Sequence, residues 1–308
     1  MDSPWEIVSN PFHDPVTFAL PFFALFIVLE LVAIKYLDDH DGEGEPGGDP
    51  TLKGYSKPDT AANLASGVGS VIINVGARFA ALFLYIALWN IAPWRMDASN
   101  PWTWVFTLLA VDLLWYAYHR ASHRIRILWA AHQAHHSSVY FNYSVALRQK
   151  WNPWGELLFW TPLPLLGVPP WMIFFAFSLN LIFQFWVHTE TIPKLWGPVE
   201  FIFNTPSHHR VHHASQKQYL DRNYAGILII WDRLFGTYAE EEDVPVYGLT
   251  VPVTTHNPFR LQYGEFVAAI RDVRGARTWR ERAGYLFAPP GWKPADPVLP
   301  PESEVVTR

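Results

Sequence analysis

At 308 residues, half of them hydrophobic and only 17% charged, with a mean hydropathy of +0.04, the chain has the composition of a protein partly embedded in lipid. A net charge of -5 and a pI near 6.2 exclude nucleic acid as a partner, because phosphate binding needs a basic face. With no cysteine, disulfides, thiolate-ligated haem, cysteine-ligated iron–sulfur clusters and a cysteine nucleophile are all excluded, so any metal must rest on nitrogen and oxygen.

The first 15 residues carry no Lys or Arg and lack the positive region of a secretory signal, so the apolar stretch after them reads as a retained anchor. That stretch, VTFALPFFALFIVLELVAIKYL at 16–37, holds two charges and is long enough for about 30 Å of hydrocarbon at ~1.5 Å per residue. The acidic, glycine-rich DDHDGEGEPGGDP at 38–50 has too little apolar content to pack and reads as a mobile loop. A second apolar stretch lies at 61–94, its span near 64–94, interrupted by Arg78, which reads as a snorkelling side chain. A third, 102–118, carries Asp112, and an ionisable group there must face protein because lipid exposure costs about 2.5–3.5 kcal/mol.

The fourth apolar region, 154–187, is broken by TPLPLLGVPP, whose four prolines and one glycine forbid a continuous helix. It reads as a re-entrant or tightly folded helical hairpin with both ends on one side. Sixteen Trp, thirteen Tyr and twenty-one Phe suit a chain that meets a bilayer boundary. Arg120, Arg124, Arg126, Arg148 and Lys150 cluster in 119–153 and more basic residues follow 188, so the positive-inside rule puts the histidine regions and the C-terminus in the cytoplasm. The expected fold is an all-α integral membrane bundle of about four membrane segments, one a broken hairpin, under a cytoplasmic helical cap. Residues 1–240 form a single membrane-embedded catalytic domain, with histidine boxes at 119–136 and 184–213. Residues 241–308 are expected to form a cytoplasmic extension, its tail from 289 read as disordered.

Ten of the thirteen histidines fall between 119 and 213. His119 and His123 are i and i+4; His132, His135 and His136 are i, i+3 and i+4; His209, His212 and His213 repeat that pattern. On a helix each set shares one face and offers converging ring nitrogens. Gln184 and His188 are again i and i+4, and in FNTPSHHRVHH Thr205 can act as N-cap with Pro206 at the first helical position. His13, His40 and His256 stand alone and read as surface or packed residues. A structural zinc uses four ligands and a catalytic one three plus water, so eight or nine imidazoles exceed one zinc. Two octahedral ions, with about twelve positions between them, fit the count and leave room for oxygen. The Glu-x-x-His pairs of carboxylate-bridged di-iron bundles do not occur in these boxes.

H-x3-H at 119–123, H-x2-HH at 132–136 and H-x2-HH at 209–213, set around apolar helices, resemble the fatty acid hydroxylase and sterol desaturase superfamily of integral-membrane di-iron enzymes over roughly 100–240. HHSSVYFNYSVALRQ, FQFWVHTE, FNTPSHHRVHH and NYAGILIIWDRLFGTY resemble its alkylglycerol monooxygenase-like and bacterial sterol desaturase branch. The resemblance implies two iron ions, with zinc as a substituted metal, and O2 as co-substrate. It also implies electrons from a cytochrome b5-like, ferredoxin-like or pterin donor, and hydroxylation or desaturation of a membrane lipid, whether sterol, ether lipid or fatty acyl chain. Carried over by position, His119, His123, His132, His135, His136, His209, His212 and His213 are ligands and His188 a ninth, from a site where many relatives have H-x3-H and this chain has Gln184.

Ligating imidazoles donate their other N–H to a carboxylate or carbonyl, and Asp112, Glu190 and Asp232 are candidates to accept, with capping or ion pairing to Arg222 or Arg233 as the alternative for Asp232. His208 reads as a neighbour of the ligands. Asn142, Tyr143, Arg148 and Gln149 either bind a lipid headgroup or fix their loop. Two other classes stay open: a membrane zinc-dependent hydrolase, which needs fewer histidines, and a metal transporter or non-catalytic metal-binding protein, whose sites usually lie near the membrane midplane.

Overall fold

The computed structural model describes residues 14–40 and 53–294. Among these residues there is no strand, only the isolated bridges Phe203–Leu228 and Ala214–Tyr247, so the fold is all-α as expected. Two helices are long and apolar enough to cross a membrane: α1, Pro15–His40, and α2, Lys57–Ile91. Both are mostly exposed, showing Phe18, Phe22, Val28, Val32, Val68, Val71 and Ile72 outward. A helix that finds no protein for such a surface is not the core of a soluble domain, and lipid is the partner its chemistry asks for. Of the expected loop and tail, residues 41–50 and 295–308 lie outside the described residues, and residues 38–40 belong to α1.

Helix α3, Pro101–Arg124, starts at Asn100, whose side chain accepts from the Trp102 backbone N–H, with Pro101 at the first helical position. It does not stop at 118, where the apolar run ends. Two charged turns continue the same rod and carry His119 and His123 beyond the apolar zone. Ile125, in extended conformation, breaks the chain before α4, Arg126–His136.

The expected hairpin is present as α5 (Trp154–Phe159), α6 (Pro162–Leu165) and α7 (Pro170–Phe185). Its apex is Gly167, at φ +85°, where an added Cβ would lie 2.7 Å from the Trp94 carbonyl oxygen; only glycine fits both the angle and the approach. The Gly167 carbonyl accepts from Met96 N (2.9 Å) and Trp89 Nε1 (3.1 Å), which ties the apex to the α2–α3 connection. The hairpin therefore leaves the histidine end, reaches the far end of α2 and returns. Between its arms and α2 lies the main apolar core: Val111, Trp115 and Tyr118 of α3 with Leu157, Trp160, Met172, Ile173, Phe177, Ala81 and Tyr85.

Arg78 does not snorkel. It pairs with Asp14 at the start of α1, and Asp14 also accepts from Ser178 Oγ at 2.8 Å. A buried-side carboxylate gives the guanidinium a closer partner than the membrane surface, and the three residues tie α1, α2 and α7 together.

Three further short helices follow: α8 (Gly197–Ile202), α9 (Pro206–His213) and α10 (Ile230–Phe235). The C-terminal helices α11 (Pro258–Gly275) and α12 (Trp279–Phe287) pack on α4, where Arg126 holds Glu265 (2.7 Å) and Asp272 (2.6 Å) and its backbone N–H donates to Ala288 O.

Candidate metal centre

The helical spacing brings together what it was expected to bring together. His119, His123, His132, His136 and His212 form one group and His135, His188, His209 and His213 another, each with its ring nitrogens within 4.8 Å of one another. The rings come from α3, α4, α9 and the exit of α7, and all are buried except the half-buried His123. The two groups adjoin, with His136 and His213 stacked at 4.3 Å between ring centroids.

Three rings have a fixed tautomer. A backbone carbonyl only accepts, so Nδ1 of His119, His188 and His212 carries the proton donated to Tyr224 O (2.8 Å), Gln184 O (2.7 Å) and Arg222 O (2.8 Å). Each Nε2 is left as a lone pair facing the other rings. His119 Nε2 lies 3.0 Å from His132 Nε2, which lies 3.0 Å from His136 Nε2. In the second group His188 Nε2 lies 3.2 Å from His135 Nε2 and 2.9 Å from His209 Nε2.

This donor set fits a metal. Nitrogens bound at about 2.1 Å and at right angles around one ion stand ~3.0 Å apart, the spacing seen here. His123 Nε2, His212 Nε2 and His213 Nε2 are buried with no hydrogen-bond partner, a cost that a cation on those lone pairs removes. Burial first, then the neighbouring rings, hold His132, His135, His136, His209 and His213 well below the usual histidine range, and burial brings His188 and His212 down to about 4. Every one is neutral at pH 7, the form that ligates.

Residues 104–237 match the family model described as Fatty acid hydroxylase, a stretch that runs from α3 through α10 and contains all nine rings. Over that stretch the chain is similar to the fatty acid hydroxylase family. Alkylglycerol monooxygenase of Homo sapiens is 38% identical over 297 residues, 95% of this chain and 63% of the relative. That of Xenopus tropicalis is 40% identical over 247 residues, 78% of this chain and 54% of the relative. An ornithine lipid hydroxylase of Rhizobium tropici is 28% identical over 147 residues, 44% of this chain and 41% of that protein. The chain thus spans less than two thirds of the length of each of these relatives. No solved structure matches it.

Within residues 104–237 the carboxylates do not touch the rings as expected. Asp112 accepts from Asn180 Nδ2 (2.7 Å), Ile227 N (2.8 Å), Leu228 N (3.0 Å) and Trp231 Nε1 (2.8 Å). Asp232 accepts from Tyr224 N and Ala225 N, both at 2.8 Å, and from Thr237 Oγ1. Their seven donors are mostly backbone, because a loop that packs at the site has amides to satisfy before any ring. The carboxylates act at one remove: Asp232 fixes the segment whose Tyr224 carbonyl takes His119, and Asp112 fixes Asn180, whose Oδ1 accepts from Gln184 Nε2 at 2.5 Å. Gln184 therefore turns its side chain to Asn180 and gives only its carbonyl to His188.

Glu190 accepts from Lys53 N at 3.0 Å, and burial pushes its carboxyl up to about 7. His208 stands outside both groups, its Nε2 3.0 Å from Glu200. Thr205 is the N-cap of α9 by conformation, but its hydroxyl donates to Glu200 at 2.9 Å and leaves the cap bond unmade. A carboxylate not singled out in the sequence, Asp221, lies 3.9 Å from His123 Nδ1.

Residues 142–149 hydrogen-bond to the protein around them. Arg148 is buried and satisfied by Asn63 Oδ1 (2.5 Å), Asp59 Oδ1 (2.5 Å) and Ser137 Oγ (2.8 Å). Asn142 donates to Gly54 O and accepts from Ser144, Tyr143 N donates to Glu30, and Gln149 O accepts from Gln262. These bonds tie the segment to α2 and to the end of α4.

Proposed function

We propose that the chain is the catalytic part of an O2-dependent lipid monooxygenase in which the nine histidines hold two iron ions, five imidazoles on one side and four on the other. Residues 1–240 form one membrane-embedded catalytic domain, with α1, α2, α3 and the α5–α7 hairpin as its membrane segments and the rings and C-terminus on the cytoplasmic side. The substrate is an ether lipid of the alkylglycerol kind, and the outcome is hydroxylation; the alkylglycerol monooxygenase relatives favour both over a sterol or a desaturation. Electrons come from a cytochrome b5-like, ferredoxin-like or pterin donor. The observation that carries this reading is the meeting of nine imidazoles, eight of them buried, as two adjoining sets. A single zinc would leave more than half of them without a role.

When bound, the iron pair supplies O2 activation and the oxidising power to break an unactivated C–H bond. The chain's own part is positional. His119, His188 and His212 are held by carbonyls with their lone pairs inward. Trp115, 5.7 Å from His119, and the packed Trp160 and Phe177 close the membrane side of the rings to water. A gap of about 10 Å³ among Tyr85, Glu156, Leu157, Trp160, Ile173, Phe174 and Phe177 has room for a single water, so an alkyl chain entering there displaces the phenylalanines.

The test is to purify the full chain without oxygen, count iron by mass spectrometry, and follow product from an alkylglycerol when O2 and reductant are added. Two irons per chain and strictly O2-dependent product are expected, with turnover reduced at least ~100-fold in a His135→Ala, His212→Ala variant that removes one ring from each set. Full turnover by that variant, or turnover without O2 on zinc, overturns the proposal.

A further inference from the structure

Helix α11 divides its surface in three. One side packs on the protein: Leu261, Gln262 and Ala269 are buried, and Glu265 and Asp272 are engaged by Arg126 of α4. At about 100° per residue, Phe259, Tyr263, Phe266, Val267 and Ile270 fall together on a second side, an apolar stripe roughly 100° wide. Phe259, Tyr263, Val267 and Ile270 are 66, 39, 54 and 50% exposed. Along one edge of the stripe stand Arg260, Arg271 and Arg274, all exposed. Since both acidic residues of the helix are held by Arg126, the free charge of α11 is positive.

One end of the stripe adjoins α2, a candidate membrane span. Trp151 lies edge-on to Phe259 at 5.1 Å and near Tyr263 at 6.2 Å, while its Nε1 donates to Ser66 O of α2 at 2.8 Å. About half a turn round α2 from Ser66, the helix exposes Val68, Val71, Ile72 and Val75. Through Trp151, the unpartnered face of α11 thus adjoins a candidate membrane span.

We propose that this face of α11 rests in the surface of an anionic bilayer, with the apolar stripe at the acyl boundary and Arg260, Arg271 and Arg274 against lipid phosphates. An amphipathic helix with a basic border lies in the interface plane with its apolar side about 5–10 Å into the headgroup region. Each arginine close to anionic lipid raises surface affinity by about fivefold. A docked α11 also fixes the height of α4, and with it His132, His135 and His136, over the membrane. The inference stands on the α2–α11 surface and does not depend on the oxygenase reading.

The natural absence of cysteine makes the test direct. Single variants Val267→Cys and Ile270→Cys of the full chain, with His256→Cys in the exposed segment before α11 as control, carry a nitroxide in liposomes of phosphatidylcholine with and without phosphatidylglycerol. Power saturation then compares access of O2 with access of a water-soluble nickel chelate. The labels at 267 and 270 are expected to favour O2 and the control to favour nickel. Adding phosphatidylglycerol should deepen the first two, and an Arg260→Gln, Arg271→Gln, Arg274→Gln background should erase that gain, with about a fivefold weaker response per arginine. If Val267→Cys does not fold, Tyr263→Cys reads the same face. Labels at 267 and 270 as open to nickel as the control overturn the proposal, as does spin–spin broadening that shows a second copy on the stripe. Protection indifferent to phosphatidylglycerol and to the arginines overturns its anionic part.

Discussion

Gln184 is where this chain departs from the H-x3-H spacing at the exit of the hairpin, and the structure explains how the departure is absorbed. Its side chain closes a relay from Asp112 through Asn180, and its carbonyl orients His188. A ring at 184 would start from a backbone position whose side chain is directed at Asn180. Gln184→His is therefore expected to leave the iron count at two per chain and to lower turnover by loosening Asn180; a third metal or a higher stoichiometry by mass spectrometry contradicts the assignment. Asp112→Asn removes an acceptor and places an amide N–H against backbone and indole donors. Each buried donor left unpaired costs about 1–3 kcal/mol, so a loss of roughly 3 kcal/mol is expected, together with about 10–100-fold weaker iron retention against a chelator. An unchanged melting temperature and unchanged iron retention would show that Asp112 does not position His188. These partners were not legible in the sequence, because Asp112 meets Ile227 and Leu228 from more than a hundred residues away and nothing local marks the pairing.

At the scale of elements, the sequence made the histidine rods legible because their chemistry is periodic: i, i+3, i+4 on α4 and on α9 can only mean one face of a helix. The broken hairpin was legible for the complementary reason, that proline and glycine forbid continuity locally. What periodicity does not carry is close approach between elements. Gly226, inside NYAGILIIWDRLFG, sits where a Cβ would lie 2.7 Å from Asn180 Nδ2 and 2.8 Å from Trp115 Cδ1. It lets the loop before α10 press on α3 and α7 at once. Gly226→Ala is expected to push Asn180 off Asp112, destabilise the protein by about 1–3 kcal/mol and reduce iron retention. Gly264→Ala, with nothing within 4 Å of the added carbon, is the matched control and should do neither. Equal behaviour of the two variants would mean that the loop yields freely.

For the molecule as a whole, the histidine sets are the place where α3, α4, α7 and α9 meet, and among the described residues they are joined there by ring nitrogens that lack partners of their own. Neutral imidazoles crowded nitrogen to nitrogen do little to hold four helices together. The apolar core under Trp115 and the buried Arg148–Asp59–Asn63 network anchor the membrane side and the α2–α4 junction, but neither reaches α9. Metal binding should then stabilise the folded chain by mass action, about 2.7 kcal/mol per site at a hundredfold excess over Kd. Stripping the metal with a chelator is expected to lower the melting temperature of the detergent-solubilised protein by several degrees, and ferrous iron to restore it. His209→Ala, in the set of four, should remove only part of that increment, because the set of five remains. The asymmetry separates a two-site centre from one shared ion: if loss of a single ring from either set abolishes the whole metal-dependent increment, the nine rings serve one site and the division into five and four has no energetic meaning.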